Sequence, residues 1–295
     1  MPPFLFKTRF APSPTGYLHV GHALSAWCAW EDAEGHDQNF ILRIEDIDQT
    51  RCKPEYESAI IEDLKWLGIK WAQPIRRQSE HFADYQQTLD HLTQQGLLYP
   101  CFCTRKDIEE EISSINAAPH GLEGLVYPKT CAHLSSGERE EKISSGKPYA
   151  LRLNMAESLR RIPASRLIWH DRIKGKQEPT ANLLTTTLGD VVLARKDTPS
   201  SYHLCVTHDD HLQNISLVTR CQDLFFATHL HRLLQEILGY NVPEYHHHAL
   251  LTDAQGKRFS KRDNGLTLRE LRNKGLEPDQ LRHIIMHGNI SEILV

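Results

Sequence analysis

A short apolar run, a turn punctuated by prolines and glycine, and a helix pattern directly behind it constrain this chain more than any other feature. The run is Leu5 to Phe10, the turn is Ala11-Pro12-Ser13-Pro14-Thr15-Gly16, and helix-compatible spacing follows from about His19 to Glu34, closed by Gly35. A second strand candidate, Asn39 to Ile44, ends in the acidic stretch Glu45-Asp46-Ile47-Asp48. Behind it, residues 55–70 put Ile60, Ile61, Leu64 and Leu67 on one helical face. Strand, helix, strand and helix at these lengths predict a parallel sheet in an α/β fold.

Residues 101–180 break that rhythm with clustered cysteines, Gly, Pro and Ser breaks and few long apolar runs, and they read as an insertion with its own small fold. The α/β pattern returns from Leu183, with strands over Asp190 to Arg195 and Ile215 to Thr219 and a helix over Leu224 to Leu238 ended by Gly239. The tail from Leu266 carries a capping box, Thr267-Leu268-Arg269-Glu270, a stop at Gly275, and a second short helix after Pro278. The expected organisation is two halves of one domain, 1–100 and 181–262, around the insertion 101–180, with a helical tail over 263–295. A chain of 295 residues suits about two domains.

Composition excludes several classes of function. With 40% hydrophobic and 24% charged residues and no repeat, the chain is neither disordered nor a solenoid. No run approaches the roughly 18 apolar residues that span a bilayer, and the first ten residues already hold Lys7 and Arg9 with no signal-peptide pattern. A cytoplasmic protein is therefore expected. The net charge of −4 gives no global nucleic-acid footprint. Seven cysteines, an odd number, do not form a disulfide framework, and Cys28, Cys52, Cys205 and Cys221 read as small buried hydrophobes.

Two segments carry chemistry. His19-Val20-Gly21-His22 falls at a helix N-terminus, where free N–H groups and the dipole favour an anion such as a phosphate. Gly21 permits close backbone approach, and each histidine can donate to a triphosphate whose charge grows during displacement. The bland alternative is that two of 18 histidines fall here by chance. Lys257-Arg258-Phe259-Ser260-Lys261-Arg262, in a polar loop, suits a clamp on phosphates, or by itself a solvated basic loop.

Together these segments resemble the two signatures of class I aminoacyl-tRNA synthetases. Arg9 to Gly16, Arg43-Ile44-Glu45-Asp46-Ile47-Asp48, and Tyr202 with His208-Asp209-Asp210 narrow the resemblance to the glutamyl group, over about residues 7–290. The resemblance implies a Rossmann-like catalytic sheet with a zinc-containing insertion and a short helical tail. It implies a glutamate pocket in which Arg9 holds a carboxylate, Ala11 and Ser13 line the turn, Glu45 binds the ammonium, and Tyr202 and Arg220 complete the site. It implies ATP contacts at His19, Gly21, His22, Ser260 and Lys261, with His19, His22 and Lys261 catalytic and magnesium accompanying the nucleotide. Two positions depart from the family pattern: Cys221 stands where glycine is usual, and Arg258 opens the signature loop in place of lysine.

Cys101-Phe102-Cys103 and Cys131 fit a structural zinc site, which takes four ligands. By metal preference His133 is the better fourth ligand, whereas the resemblance to short glutamyl-type enzymes points to Tyr127; three free thiols without metal are the remaining alternative. Arg160, Arg161, Arg166, Arg172, Lys174 and Lys176 form either a face toward RNA or a solvated one. The residues after Arg262 are too few for an anticodon-binding region. The resemblance is accordingly nearest to the family of glutamyl-queuosine tRNA(Asp) synthetases. It implies a monomer that uses L-glutamate, ATP and queuosine-modified tRNA(Asp), with no membrane partner.

Overall fold

The computed structural model describes residues 6–114, 120–121, 124–251 and 267–287. The first strand, β1 (Thr8–Phe10), is wholly buried, and its chain turns through residues 11–18 into α1 (Val20–Asp32). Val20, Ala23, Leu24 and Trp27 recur at helical spacing and are the buried face of α1. Then come β2 (Phe40–Ile44), all five residues buried, α2 (Pro54–Trp66) and β3 (Ala72–Arg77). Pro54 opens α2 where its missing N–H costs nothing. Gly68, at φ 75°, ends the run that the sequence extended to residue 70. β1 pairs with β2 and β2 with β3, all parallel, as the strand–helix alternation predicts.

After α3 (Phe82–Gln94) comes β4 (Leu98–Cys101), then α4 (Arg105–Ser114), the two-residue strands β5 (His120–Gly121) and β6 (Gly124–Leu125), and α5 (Ser136–Ser144). β7 (Ala150–Leu153), α6 (Met155–Arg161), β8 (Trp169–Asp171), β9 (Gly175–Gln177), α7 (Ala181–Thr187) and β10 (Val192–Ala194) follow. β4, β7 and β10 form an antiparallel sheet in the order β10-β7-β4. The strand expected over Asp190 to Arg195 thus exists, but it pairs outside the parallel sheet. Three residues carry no period that identifies a partner, and its neighbour β7 lies some 40 residues back in the chain.

The remaining elements are α8 (Tyr202–Leu212), β11 (Leu217–Cys221), α9 (Ala227–Leu238), β12 (Glu244–His248), α10 (Leu268–Asn273) and α11 (Pro278–His287). β11, β12 and β8 pair in parallel, with β9 antiparallel at the edge. β8 and β9, within the span read as an insertion, therefore belong to this sheet. α9 ends at Gly239 (φ 67°) and α10 is capped by the Thr267–Glu270 box, both as expected.

The two parallel sheets adjoin through Lys7, whose carbonyl accepts from the backbone N–H of Ser216 (3.0 Å) and Leu217 (3.2 Å). The strand order across the junction is β3-β2-β1-β11-β12-β8, so the order reverses between β1 and β11. In open α/β sheets, ligands bind outside the carboxyl ends of the strands at such a reversal. The apolar core beneath joins α1, β2 and α2 to Leu268, Leu271, Leu281 and Ile285 of the tail helices. Among the described residues, no helix is long and apolar enough to cross a membrane.

Candidate active site

At the reversal point lies a cavity of about 360 Å³ whose walls come from the ends of β1, β2 and β11, the turn after β1, the first turn of α1 and the segment after β12. Strand polarity explains its lining. Arg9 is near the carboxyl end of β1, Glu45 directly follows β2, and Arg220 is the next-to-last residue of β11. Ala11, Ser13, His19, Gly21, His22 and Tyr202 line the same cavity. The structure thus gathers these residues from positions 9 to 220 of the chain. Ser260 and Lys261, with the rest of the basic loop 257–262, lie outside the described residues.

Two histidines cap α1 reciprocally. The backbone N–H of Gly21 donates to His19 Nδ1 (3.1 Å), and the backbone N–H of His19 donates to His22 Nδ1 (3.1 Å). Both Nδ1 atoms act as acceptors, so in the neutral rings the proton sits on Nε2. The rings lie 3.8 Å apart between centroids. A β-carbon on Gly21 would stand 3.0 Å from His19 Cε1 and 3.2 Å from its Nδ1, so glycine is needed here for room.

Beneath the cavity runs a buried charge network. Arg9 donates from Nε to Asp210 Oδ1 (3.0 Å) and from Nη1 to the Thr219 carbonyl (3.1 Å). Among the described residues its Nη2 has no protein partner. Arg43, fully buried, donates to Asp210 Oδ1 (2.9 Å), Gln213 Oε1 (2.9 Å) and Glu45 Oε1 (3.1 Å). Burial acts to raise the Asp210 carboxyl, but the Arg9 and Arg43 guanidinium groups outweigh it and hold it below the ordinary carboxylate range. For Glu45 burial prevails over the same two arginines, and its carboxyl lies above that range. Burial likewise raises the Tyr202 phenol. One residue earlier, Asp209 accepts from Arg76 Nε, Gln78 Nε2 and Tyr85 Oη, each at 2.9 Å.

The sequence reading gave no role to Arg43, Asp209 or Asp210. Arg43 lies in β2 and Glu45 directly follows it, two residues on in extended chain, so both face the same side, a signal that could have tied them together. The Asp209-Asp210 pair had no such local signature, because its partners come from β1, β2, β3 and α3.

A second cluster lies at the end of β4 and in the residues that follow it. The sulfurs of Cys101, Cys103 and Cys131 all lie within 4.8 Å of one another, with Cys103 and Cys131 at 3.4 Å. Tetrahedral zinc with bonds of about 2.3 Å sets sulfurs roughly 3.8 Å apart, so the set fits that ion. Tyr127 Oη stands 3.5 Å from Cys103 Sγ and accepts from the Cys131 backbone N–H (2.8 Å). His133 does not join the group. Arg152 stacks 3.8 Å over the Tyr127 ring, and Lys196 Nζ donates to the Phe102 and Cys103 carbonyls (both 2.9 Å). Cationic groups therefore surround a ligand set that is anionic when it holds a metal.

Most of the basic residues noted between 160 and 176 are paired: Arg160 and Arg161 with Glu157, Arg166 with Glu236, Arg172 with Asp32, and Lys176 with Glu178. Lys174 Nζ instead lies 4.1 Å from the centre of the Phe225 ring.

Residues 6–291 match the family described as tRNA synthetases class I (E and Q), catalytic domain. The chain is 43% identical over 283 residues to a glutamyl-Q tRNA(Asp) synthetase of Rhodobacter capsulatus, covering 94% of this chain and 99% of that one. To a glutamate--tRNA ligase of Aquifex aeolicus it is 38% identical over 276 residues, 93% of this chain and 55% of the other. It thus spans about half the length of that ligase. Among solved structures, a glutamate tRNA ligase from Elizabethkingia meningosepticum in complex with its amino acid has a TM-score of 0.73 at 27% identity, over 95% of this chain and 60% of the other.

Proposed function

The chain belongs to the class I tRNA synthetases of the E and Q group, and on that premise we propose that it activates L-glutamate with ATP and transfers it to the queuosine base in the anticodon of tRNA(Asp). The observation that carries this reading is the single cavity shared by Arg9, Glu45, Tyr202 and Arg220 on one side and His19 and His22 on the other. Two guanidinium groups suit an amino acid with two carboxylates: among the described residues Arg9 keeps Nη2 without a protein partner for one, and Arg220 sets a buried positive charge beside the other. Glu45 is the buried anion available for the ammonium. Ala11 and Ser13 line the turn between these groups.

In the first step the glutamate α-carboxylate oxygen bonds to the α-phosphorus of ATP while the bond to the β-phosphate oxygen breaks, releasing pyrophosphate. His19 and His22, protonated at Nε2, stabilise the charge that grows on the phosphates. Gly21 and Ser260 serve as further ATP contacts, Lys261 is the cation of the second signature, and the nucleotide reacts as its magnesium complex. In the second step a queuosine hydroxyl attacks the glutamyl carbon, AMP leaves, and the adenylate phosphate accepts the hydroxyl proton.

Cys101, Cys103, Cys131 and Tyr127 are proposed as the ligands of one structural zinc. The thiol spacing supports three of them, and the Tyr127 hydroxyl beside Cys103 favours it over His133. Zinc supplies folding energy here and no chemistry. The proposed division of roles is catalytic halves over 1–100 and 181–262, a zinc-bearing insertion over 101–180 whose β8 and β9 complete the edge of the catalytic sheet, and a stem-contacting tail over 263–295.

The test is to incubate the protein with labelled glutamate, ATP and tRNA with or without queuosine, digest the RNA and locate the label. Label on the modified anticodon nucleoside, absent without queuosine, is the expected result. Label on the 3′-terminal adenosine would instead assign the chemistry of a glutamate--tRNA ligase. Arg9→Ala should abolish glutamate-dependent ATP–pyrophosphate exchange, and its persistence would refute the pocket.

A further inference from the structure

Arg220 is held differently from the other buried arginines. Its guanidinium has five N–H donors, and all five are occupied within the protein. Nε donates to His247 Nε2 (3.2 Å); Nη1 donates to Tyr202 Oη (3.2 Å) and His231 Nδ1 (3.3 Å); Nη2 donates to the Leu224 carbonyl (3.2 Å) and Thr228 Oγ1 (2.6 Å). Every acceptor is electrically neutral. Among the described residues no carboxylate pairs with Arg220, whereas Arg9, Arg43 and Arg76 each touch an aspartate.

The tautomers of both imidazoles follow from their other partners. His247 Nδ1 lies 2.7 Å from Asp171 Oδ2, so Nδ1 carries the proton and Nε2 offers its lone pair to Arg220. Asp171 is fully buried and fixed by the backbone N–H groups of Ile173 and Lys174, at 3.0 and 2.7 Å. His231 is wired in the opposite sense. Its Nδ1 faces Arg220, so the proton lies on Nε2, 3.2 Å from His203 Nδ1. A cation cannot donate to a protonated nitrogen, so both rings are neutral. Burial pushes the His231 imidazole well below its ordinary value and the His247 imidazole to about 3, which agrees.

We propose that His231 and His247 are positioning residues that hold Arg220 rigidly without placing a carboxylate in contact with it, so that the substrate carboxylate is the anion that reaches it. Neither imidazole lines the cavity. They act through Arg220, and a carboxylate in either place would fix the guanidinium equally well but neutralise it. This role rests on the proposed glutamate pocket and adds why Arg220 meets no protein carboxylate there among the described residues.

Asparagine and aspartate differ little in shape, so His231→Asn and His231→Asp separate charge from packing. Asparagine can present an oxygen where Nδ1 stood. The measurement is the glutamate KM and kcat in ATP–pyrophosphate exchange with tRNA present. An opposite charge at contact typically shifts an equilibrium by one or more powers of ten, so the Asp variant should show a KM at least about tenfold above that of the Asn variant, with similar kcat. Equal KM values in the two variants, with the wild type active, would overturn the inference and spare the proposed function. A wild type without glutamate-dependent exchange would overturn both. Nitrogen-15 NMR of the unaltered protein is independent of variant folding: His231 should be neutral and protonated at Nε2, His247 neutral and protonated at Nδ1. An imidazolium or the reversed tautomer at either residue would equally refute it.

Discussion

Replacing Gly21 by alanine tests the proposed role of the two histidines without removing either of them. Gly21 is the second residue of α1, and the added β-carbon would stand 3.0 Å from His19 Cε1 and 3.2 Å from Nδ1. The imidazole is a movable side chain, so the ring should shift and give up the hydrogen bond from Gly21 N–H. Losing an N-terminal cap costs roughly 1 kcal/mol, and glycine-to-alanine inside a helix returns up to about 1 kcal/mol. Stability should therefore change by less than about 1 kcal/mol, a few degrees at most in Tm. Catalysis should change far more. Misplacing one donor aimed at developing charge removes roughly 3–4 kcal/mol, a factor of about 10² to 10³ in kcat. Pyrophosphate exchange and thermal denaturation measured on the same preparation separate the two effects. Exchange within about twofold of wild type at an unchanged Tm would show that His19 does not need its observed position, and the phosphate-binding role would fall.

Two further outcomes are expected. Removing zinc with a chelator, or Cys103→Ser, should expose the cluster segment to proteolysis between β4 and α5 and lower Tm, because structural zinc contributes roughly 10 kcal/mol to the fold of a small site; metal analysis finding no zinc in the purified protein would refute the ligand set. Asp63→Asn should stabilise the protein at pH 7. The Asp63 carboxyl is fully buried in α2, accepts no hydrogen bond and has Arg272 Nη1 3.5 Å away, and burial raises its pKa to about 6. A raised carboxyl favours the fold below its unfolded value near 3.8 and loses that contribution as pH rises through about 6, so the gain should reach about 2–3 kcal/mol at pH 7 and vanish near pH 3. Urea unfolding at both pH values measures it, and a gain independent of pH would refute the assignment.

The chain-local parts of this fold were legible in its sequence, and the non-local parts were not. β1, α1, β2 and α2 announce themselves through proline, glycine and apolar period, and α9 and α10 through their caps, because each signal acts within a few residues. β10 was legible as a strand but not in its pairing with β7, and β8 gave no sign that it would join β12. The site divides in the same way. Arg9, Glu45, Tyr202 and Arg220 were marked by resemblance alone, because composition and spacing do not tell a pocket residue from a member of a structural ion pair. In the structure Glu45 and Arg220 do not pair with each other: Glu45 bonds Arg43, and Arg220 bonds neutral groups. What sequence could not supply was this distribution of partners, because it depends on which strands meet at the reversal point.

That distribution bears on selectivity. Of the charges packed around the proposed pocket, Arg9 and Arg43 are matched by Asp210 and Glu45, while Asp209 is taken by Arg76. Among the described residues Arg220 is left with no carboxylate in contact, Asp171 standing behind His247. Glutamate carries one more carboxylate than ammonium, so it brings the contacting anion that Arg220 lacks. Glutamine fills nearly the same volume but is neutral overall, and binding it would leave a cation buried without an anion, a state that costs far more than an unfilled hydrogen bond. Discrimination between two amino acids of almost equal size would then reside less in the contacts of the side-chain end group than in the neutrality of the groups behind Arg220. It follows that a carboxylate introduced behind Arg220 should weaken glutamate binding and leave glutamine, which needs no counter-charge, much less affected.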